Sequence, residues 1–192
     1  MPSAPGQRIV SDEQRIQLKD GREVIVRRSR QGDAQRVHAY VCALGRSTDM
    51  ILTYEDDLPP IERIQSHIDM IAKKQFYSLV ALDPETNEVV GNVSFRFAVR
   101  KKLRHGAELG MGVLPSHRRT GLGTILLERA VADMHQFEGI ERLELTTLVR
   151  NTHAMKMYER AGFVQEGIKR RSLRQPDGSY DDEVIMAMWI GA

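Results

Sequence analysis

Cysteine is nearly absent: the 192 residues hold one, Cys42. A single thiol excludes an internal disulfide and a zinc site built from cysteines, and it fits a reducing compartment. Long hydrophobic runs are missing as well. None approaches the ~20 residues that a membrane span needs, and residues 1–8 lack the apolar stretch of a secretory leader, so a cytoplasmic protein is expected. An excess of one charge is lacking too. Against 28 Lys and Arg stand 26 Asp and Glu, a formal charge of +2, too balanced for nucleic acid or an anionic membrane to be the main partner. The six histidines are scattered without the short spacings of a metal site, and no metal is expected. No repeat occurs and no Gly- or Ser-rich linker divides the chain, so a single α/β domain is the economical reading.

What is present is a series of short periodic segments. Residues 1–14 read as a flexible tail and residues 15–192 as the domain. Alternating apolar residues over 15–27 flank Asp20-Gly21, a hairpin signal. Asp33 stands where an N-cap belongs, before Ala34, Val37, Tyr40, Val41 and Leu44, a helix that Gly45 should end. Ile61, Ile64, Ile68 and Ile71 predict a second helix after a polar loop. Residues 76–82, 89–99 and 107–113 read as strands, with turn chemistry at 83–87 and a basic, solvated tip from Arg100 to Arg104. From Gly121 the spacing of Leu126, Ala130, Met134 and Phe137 predicts a third helix, and residues 142–149 a strand. Asn151 caps a fourth helix bearing Ala154, Met155, Tyr158 and Ala161, which Gly162 ends. Two strands, 163–173 and 180–189, turn about Pro176-Asp177-Gly178.

Chemistry concentrates between Leu109 and Thr124, where a strand runs through a loop into a helix. Arg118, Gly121 and Gly123 stand in the order Arg-x-x-Gly-x-Gly. Glycine permits close approach of main-chain N–H groups to a phosphate, and the helix start adds roughly half a positive charge. Neither a Walker loop nor a dinucleotide fingerprint fits, because the lysine and the third glycine are missing. Alone, this pattern arises by chance about once in ten chains of this length. The second pattern is more specific: Asn151, Ala154, Tyr158, Gly162 and Phe163 in fixed register across one helix, a chance on the order of 10⁻⁵ per chain.

With both patterns one helix and one strand apart, residues 107–167 resemble the acetyl-CoA-binding core of the GNAT superfamily of acyl-CoA N-acyltransferases. The chain end, from Glu166 to Arg174 and from Asp177 to Met186, resembles the bacterial branch that holds amino-acid and ribosomal-protein N-acetyltransferases. The resemblance implies one α/β (α+β) domain. Its central mixed, mostly antiparallel sheet would contain a splayed parallel strand pair, with helices on both faces. It also implies acetyl-CoA as co-substrate, held by Met111, Gly112 and Val113 on a strand bulged near Gly110-Met111-Gly112, by Arg118, Arg119, Thr120, Gly121, Leu122, Gly123 and Thr124 at the loop and helix start, and by Asn151. Val113 N–H would meet the thioester oxygen. Tyr158 is the candidate acid, or else a core tyrosine; Glu108 is the candidate base, or else a solvated strand residue; Asn151 binds pantetheine or an ordered water and caps its helix as well.

The expected reaction is acetyl transfer to a primary amine, a free amino acid or small amine before a protein N-terminus, by direct attack in a ternary complex. The contrasting expectation is an acyl-CoA sensor without turnover. Acceptor selection would fall to residues 45–60, the second helix and residues 174–180, with Asp49, Glu55, Asp56 and Asp57 either attracting a cationic amine or simply solvated. His117 reads as a surface residue or a helper of the phosphate loop, Lys156 as a surface charge, and Cys42 as core. The apolar ending with Trp189 suits a sheet edge or the interface of a homodimer.

Overall fold

The computed structural model describes residues 12–47, 50 and 57–191. Among these residues eight strands and four α-helices follow in the order β1 (Gln14–Gln17), β2 (Glu23–Arg28), α1 (Ala34–Ser47), α2 (Ile61–Ala72), β3 (Phe76–Leu82), β4 (Val89–Phe97), β5 (Gly106–Val113), α3 (Leu122–Met134), β6 (Arg142–Leu148), α4 (Thr152–Arg160), β7 (Val164–Arg174) and β8 (Tyr180–Trp189). They form one sheet ordered β1-β2-β3-β4-β5-β6-β8-β7. Every neighbouring pair is antiparallel except β5 and β6.

Local chemistry explains the turns. Gly21 supplies the left-handed φ of +87° between β1 and β2, while the Asp20 carboxylate accepts the Arg22 N–H at 3.3 Å. Between β3 and β4 the Asp83 carboxylate accepts the N–H groups of Glu85 and Thr86 at 2.8 and 3.1 Å. Ordered contacts reach back to Asp12, whose carbonyl accepts from Arg129 at 2.8 Å.

Side-chain alternation assigns the helices to opposite faces of the sheet. A Cβ on Gly91 would touch Leu126 and Leu122 of α3. A Cβ on Gly112 would fall 2.5 Å from Leu44 Cδ2 and 2.8 Å from Tyr40 Oη of α1. The two glycines stand on neighbouring, oppositely directed positions of the β4–β5 ladder, so α3 covers one face and α1 the other. Under α3 and α4 lies the larger core, including Phe95, Leu109, Leu122, Leu126, Leu143, Leu145, Tyr158 and Phe163. Tyr40, Leu44, Val80, Leu82 and Val89 make a second cluster under α1, and Ala34, Ile64 and Ile68 join α1 to α2. Among the described residues, Tyr40 Oη is the one side-chain polar atom that is both sealed from solvent and without a hydrogen-bond partner.

Four local expectations change. Asp33 does not cap α1. It closes a 3-10 turn, Gln31–Asp33, where its buried carboxylate accepts the Arg30 N–H at 2.7 Å and a bidentate pair from Arg27 at 2.6 and 2.8 Å. Removing one partner of such a buried pair costs about 3–5 kcal/mol. Gly45 does not end α1, which continues to Ser47. Packing against the sheet outweighs the weak helix propensity of one glycine. The expected bulge near Gly110 is absent as well, because β4 and β5 keep one register from Gly91↔Val113 to Phe97↔Ala107. Cys42 is half-buried rather than core, its Sγ 3.7 Å from His38 Nε2.

The place that a bulge would have explained, a glycine at 112, is explained by packing instead. Gly112→Ala is expected to lower stability in urea unfolding by about 1–3 kcal/mol, the usual range for overpacking. The matched control is Gly110→Ala, whose added Cβ meets only Ser94 Oγ at 3.6 Å, with an expected effect within about 0.5 kcal/mol.

Candidate active site

The parallel pair β5 and β6 stays in register for only three positions, Gly106↔Arg142, Ala107↔Leu143 and Glu108↔Glu144. Beyond them β5 remains zipped to β4 as far as Val113, and β6 to β8 as far as Leu148. The two strands therefore part, and a wedge opens in mid-sheet. Its lining follows from the ladder. Leu114 N–H donates to Val90 O at 2.9 Å and Ala98 N–H to Gly106 O at 3.2 Å, so the even-numbered residues of β5 share hydrogen bonds with β4. By alternation the odd-numbered ones turn their N–H and C=O groups toward β6. The N–H groups of Met111 and Val113 consequently face the wedge. Gly112 turns its main chain to β4 and its Cα to α1.

At the wide end of the wedge lies the glycine loop. A short turn, Pro115–His117, precedes it. Arg119 and Gly121 then both adopt left-handed backbone, with φ of +66° and +90°. Arg118 Nε donates to Val113 O at 3.0 Å. Thr120 Oγ1 donates to His117 O at 2.8 Å and accepts from Leu122 N–H at 3.4 Å. The side chains of Thr120 and Leu122 are thus buried inside the loop, and these two residues offer a ligand main chain alone. In the first turn of α3 the N–H groups of Gly123 and Thr124 have no intrahelical acceptor, as at any helix start. A Cβ on Gly123 would stand at ordinary distances, 3.4 Å from Met157 Sδ and 3.8 Å from Met111 and Val113. Internal packing does not demand glycine there. Its absent side chain leaves room at the meeting point of β5, α3 and α4.

Three candidates for proton transfer and positioning come from different elements. Tyr158 is 7% exposed in the core under α4, edge-on to Phe163 with ring centroids 5.9 Å apart. Its hydroxyl has no hydrogen-bond partner among the described residues, and burial pushes its pKa well above the ordinary tyrosine value. Asn151 joins the end of β6 to α4, its Oδ1 accepting the Ala154 N–H at 3.4 Å and its Nδ2 donating to Thr147 Oγ1 at 3.5 Å. Glu108 occupies the last paired position before the strands part, on the α1 face, hydrogen-bonded to Arg96 at 2.6 Å. Tyr158 and Glu108 therefore lie on opposite faces of the sheet.

His117 is buried, not a surface residue. Its Nε2 lies 3.3 Å from Arg22 and its Nδ1 3.0 Å from Ser116 Oγ. Burial, then the Arg22 charge, hold its pKa below the ordinary histidine value. Lys156 is exposed. Near residues 174–180, expected to take part in acceptor selection, Arg150 Nε meets both Asp181 oxygens at 3.0 and 3.1 Å, and the Arg171 guanidinium lies 4.3 Å over the Tyr180 ring. Asp57 is exposed, while Asp49, Glu55 and Asp56 lie outside the described residues. No group of His, Cys, Asp or Glu among the described residues is arranged to hold a metal ion. None of their helices is long and apolar enough to cross a membrane. A separate hollow, lined by Arg28, Tyr77, Phe97 and Phe137, contains none of the candidate residues.

Burial also predicts an alkaline limit to stability. Tyr40, Tyr77 and Tyr158 are all held above the ordinary tyrosine value by burial, Tyr77 also by its hydrogen bond to Asp133. Above pH ~10 the unfolded chain releases these protons while the folded chain retains them, so stability falls as pH rises. In a spectrophotometric titration, tyrosinate absorbance from these three residues should appear only together with loss of helical circular dichroism.

Comparison with known proteins agrees with this geometry. Residues 48–163 match the model of the acetyltransferase (GNAT) family. Over 101 residues the chain is 31% identical to the L-amino acid N-acetyltransferase AaaT of Escherichia coli, covering 52% of this chain and 61% of that protein. Over 95 residues it is 35% identical to a [ribosomal protein bS18]-alanine N-acetyltransferase of Haemophilus ducreyi, covering 49% and 65%. The chain thus spans about three fifths of the length of these curated relatives. A crystal structure of an acetyltransferase of the same family from Streptococcus pneumoniae superposes with a TM-score of 0.81 at 26% identity, over 87% of this chain and 99% of that one. The fold also matches a phosphinothricin acetyltransferase of Sinorhizobium meliloti in complex with AcCoA, with a TM-score of 0.75 at 19% identity over 88% and 89%.

Proposed function

Because the chain belongs to the acetyltransferase (GNAT) family, we propose that it transfers acetyl from acetyl-CoA to a primary amine, a free amino acid or small amine, in the cytoplasm. The observation that carries this reading is the wedge between β5 and β6, with main-chain N–H groups facing in and a helix start at its mouth. Acetyl-CoA supplies an acyl thioester, whose carbonyl the amine attacks directly in a ternary complex. Met111 and Val113 hold the pantetheine arm as an added strand would be held. Gly123 and Thr124, with Arg118 and Arg119, take the phosphates. Asn151 orients the arm from the end of β6.

Val113 N–H faces the oxygen on which negative charge develops, and one preorganised donor of this kind is worth about 3 kcal/mol. Tyr158 hands a proton to the departing sulfur. Its raised pKa keeps it protonated at every physiological pH, and its hydroxyl has no competing partner. The driving force is smaller than for an ordinary phenol, because burial widens the gap to a thiol of pKa near ~8.5. Glu108 accepts the proton of the amine from the opposite face, directly or through water, and Arg96 keeps its carboxylate positioned. A peptide N-terminus is the second reading of the acceptor, favoured by the identity to ribosomal-protein-alanine N-acetyltransferases.

An acceptor screen tests the whole reading. Purified protein with acetyl-CoA is offered amino acids, polyamines and N-terminal peptides while free thiol and product mass are followed. Acceptor-dependent thiol release is expected for the wild type. Binding of acetyl-CoA without any release would make the protein a sensor instead. Tyr158→Phe should lower kcat about a hundredfold with acetyl-CoA affinity within twofold, and unchanged turnover would remove Tyr158 from the mechanism. Glu108→Gln should lower kcat and leave stability within about 0.5 kcal/mol, because its partner is an exposed cross-strand arginine.

A further inference from the structure

The turn joining β1 to β2 lies against the glycine loop, 95 residues away in sequence by the Arg22–His117 contact. Three contacts stitch the two together. Lys19 N–H donates to Thr120 O at 3.1 Å, Arg22 Nη2 donates to Ser116 O at 2.8 Å, and Arg22 Nη1 stands 3.3 Å from His117 Nε2. The side chain of Lys19 goes further. A Cβ on Gly121 would lie 3.3 Å from Lys19 Cε and 3.5 Å from both Cδ and Cγ, so the whole aliphatic stem runs along the open side of the residue that caps α3.

Its ammonium has no ion-pair or hydrogen-bond partner among the described residues. The other charged members of the turn do: Asp20 and Arg22 pair with each other at 2.6 Å. A lysine stem held against a glycine buries little apolar area, and what the arrangement fixes is the position of a positive charge beside the start of α3.

That charge would add to those of Arg118 and Arg119 if the loop holds phosphates. A helix start contributes roughly half a unit of positive charge, against about two negative charges on a coenzyme diphosphate. Arg118, the cation of the sequence motif, already directs its Nε to Val113 O at 3.0 Å. We infer that Lys19, outside the Arg-x-x-Gly-x-Gly motif, completes the diphosphate site, with the β1–β2 turn as its outer wall. The inference rests on the reading of the wedge as an acetyl-CoA site. It gives Gly121 two duties: the left-handed φ at the head of α3, and a surface bare enough for the lysine stem to cross.

Calorimetric titration of the full chain with CoA, 3′-dephospho-CoA and pantetheine separates the possibilities. Lys19→Met keeps the stem over Gly121 and removes only the ammonium. It should weaken CoA and 3′-dephospho-CoA alike, about tenfold at low salt, with the loss shrinking as ionic strength rises. Pantetheine binding and the melting temperature should not move, and Lys19→Arg should recover most of the affinity. Equal CoA binding by wild type and Lys19→Met would overturn the role of Lys19 alone. A loss confined to CoA would also overturn it, by assigning the lysine to the ribose 3′-phosphate. Equal weakening of all three ligands with a lower melting temperature would make Lys19 a structural residue. Wild type that binds none of the three would overturn the acetyl-CoA reading itself.

Discussion

Two parallel strands that share a sheet normally stay paired, since each unpaired main-chain group in a buried position is costly. Here β5 and β6 each hold a complete antiparallel ladder on their outer sides, with β4 and with β8, and those ladders carry them apart after Glu108↔Glu144. Everything else in the site depends on that divergence. It leaves a row of main-chain donors in mid-sheet with no protein strand to receive them, and an extended ligand with amide groups of its own is a natural complement. It also puts the wedge under the start of α3, so one molecule can meet strand amides along its arm and helix amides at its charged end.

The sheet further separates the two residues proposed for proton transfer into two compartments. Tyr158 sits in the apolar core with α3 and α4, where burial preserves its proton. Glu108 sits on the α1 face, half-exposed and paired with Arg96. In the proposed mechanism a donor belongs near the sulfur that leaves and an acceptor near the amine that arrives, and the two faces of the sheet supply that division without any irregularity in β5. The uninterrupted register of β4 and β5 is informative for this reason: the wedge opens by strand divergence, not by a bulge.

Much of this was readable in the sequence. Strand and helix positions followed from two periodicities, 2 and 3.6, and residues 76–82 and 180–189 matched their strands to the residue. Where reading failed, a distant partner had outweighed a local preference. Asp33 has the chemistry of a cap, yet Arg27 from β2 draws it into a buried ion pair. Gly45 has the chemistry of a helix stop, yet α1 runs past it along the sheet. His117 reads as a surface residue because nothing nearby in sequence indicates that Arg22 will cover it.

The order of residues by itself determined the elements, the glycine loop and the family resemblance, because helix starts, turns and phosphate-binding loops are built from contacts within a few positions of one another. Only the tertiary structure decided which face each residue serves. Gly112 packs against Tyr40 and Leu44, Glu108 and Tyr158 stand on opposite faces, and Lys19 reaches the loop from the far end of the chain. Those assignments depend on strand pairing and register, and a shift of one residue in register reverses the face of every side chain while leaving the sequence pattern untouched.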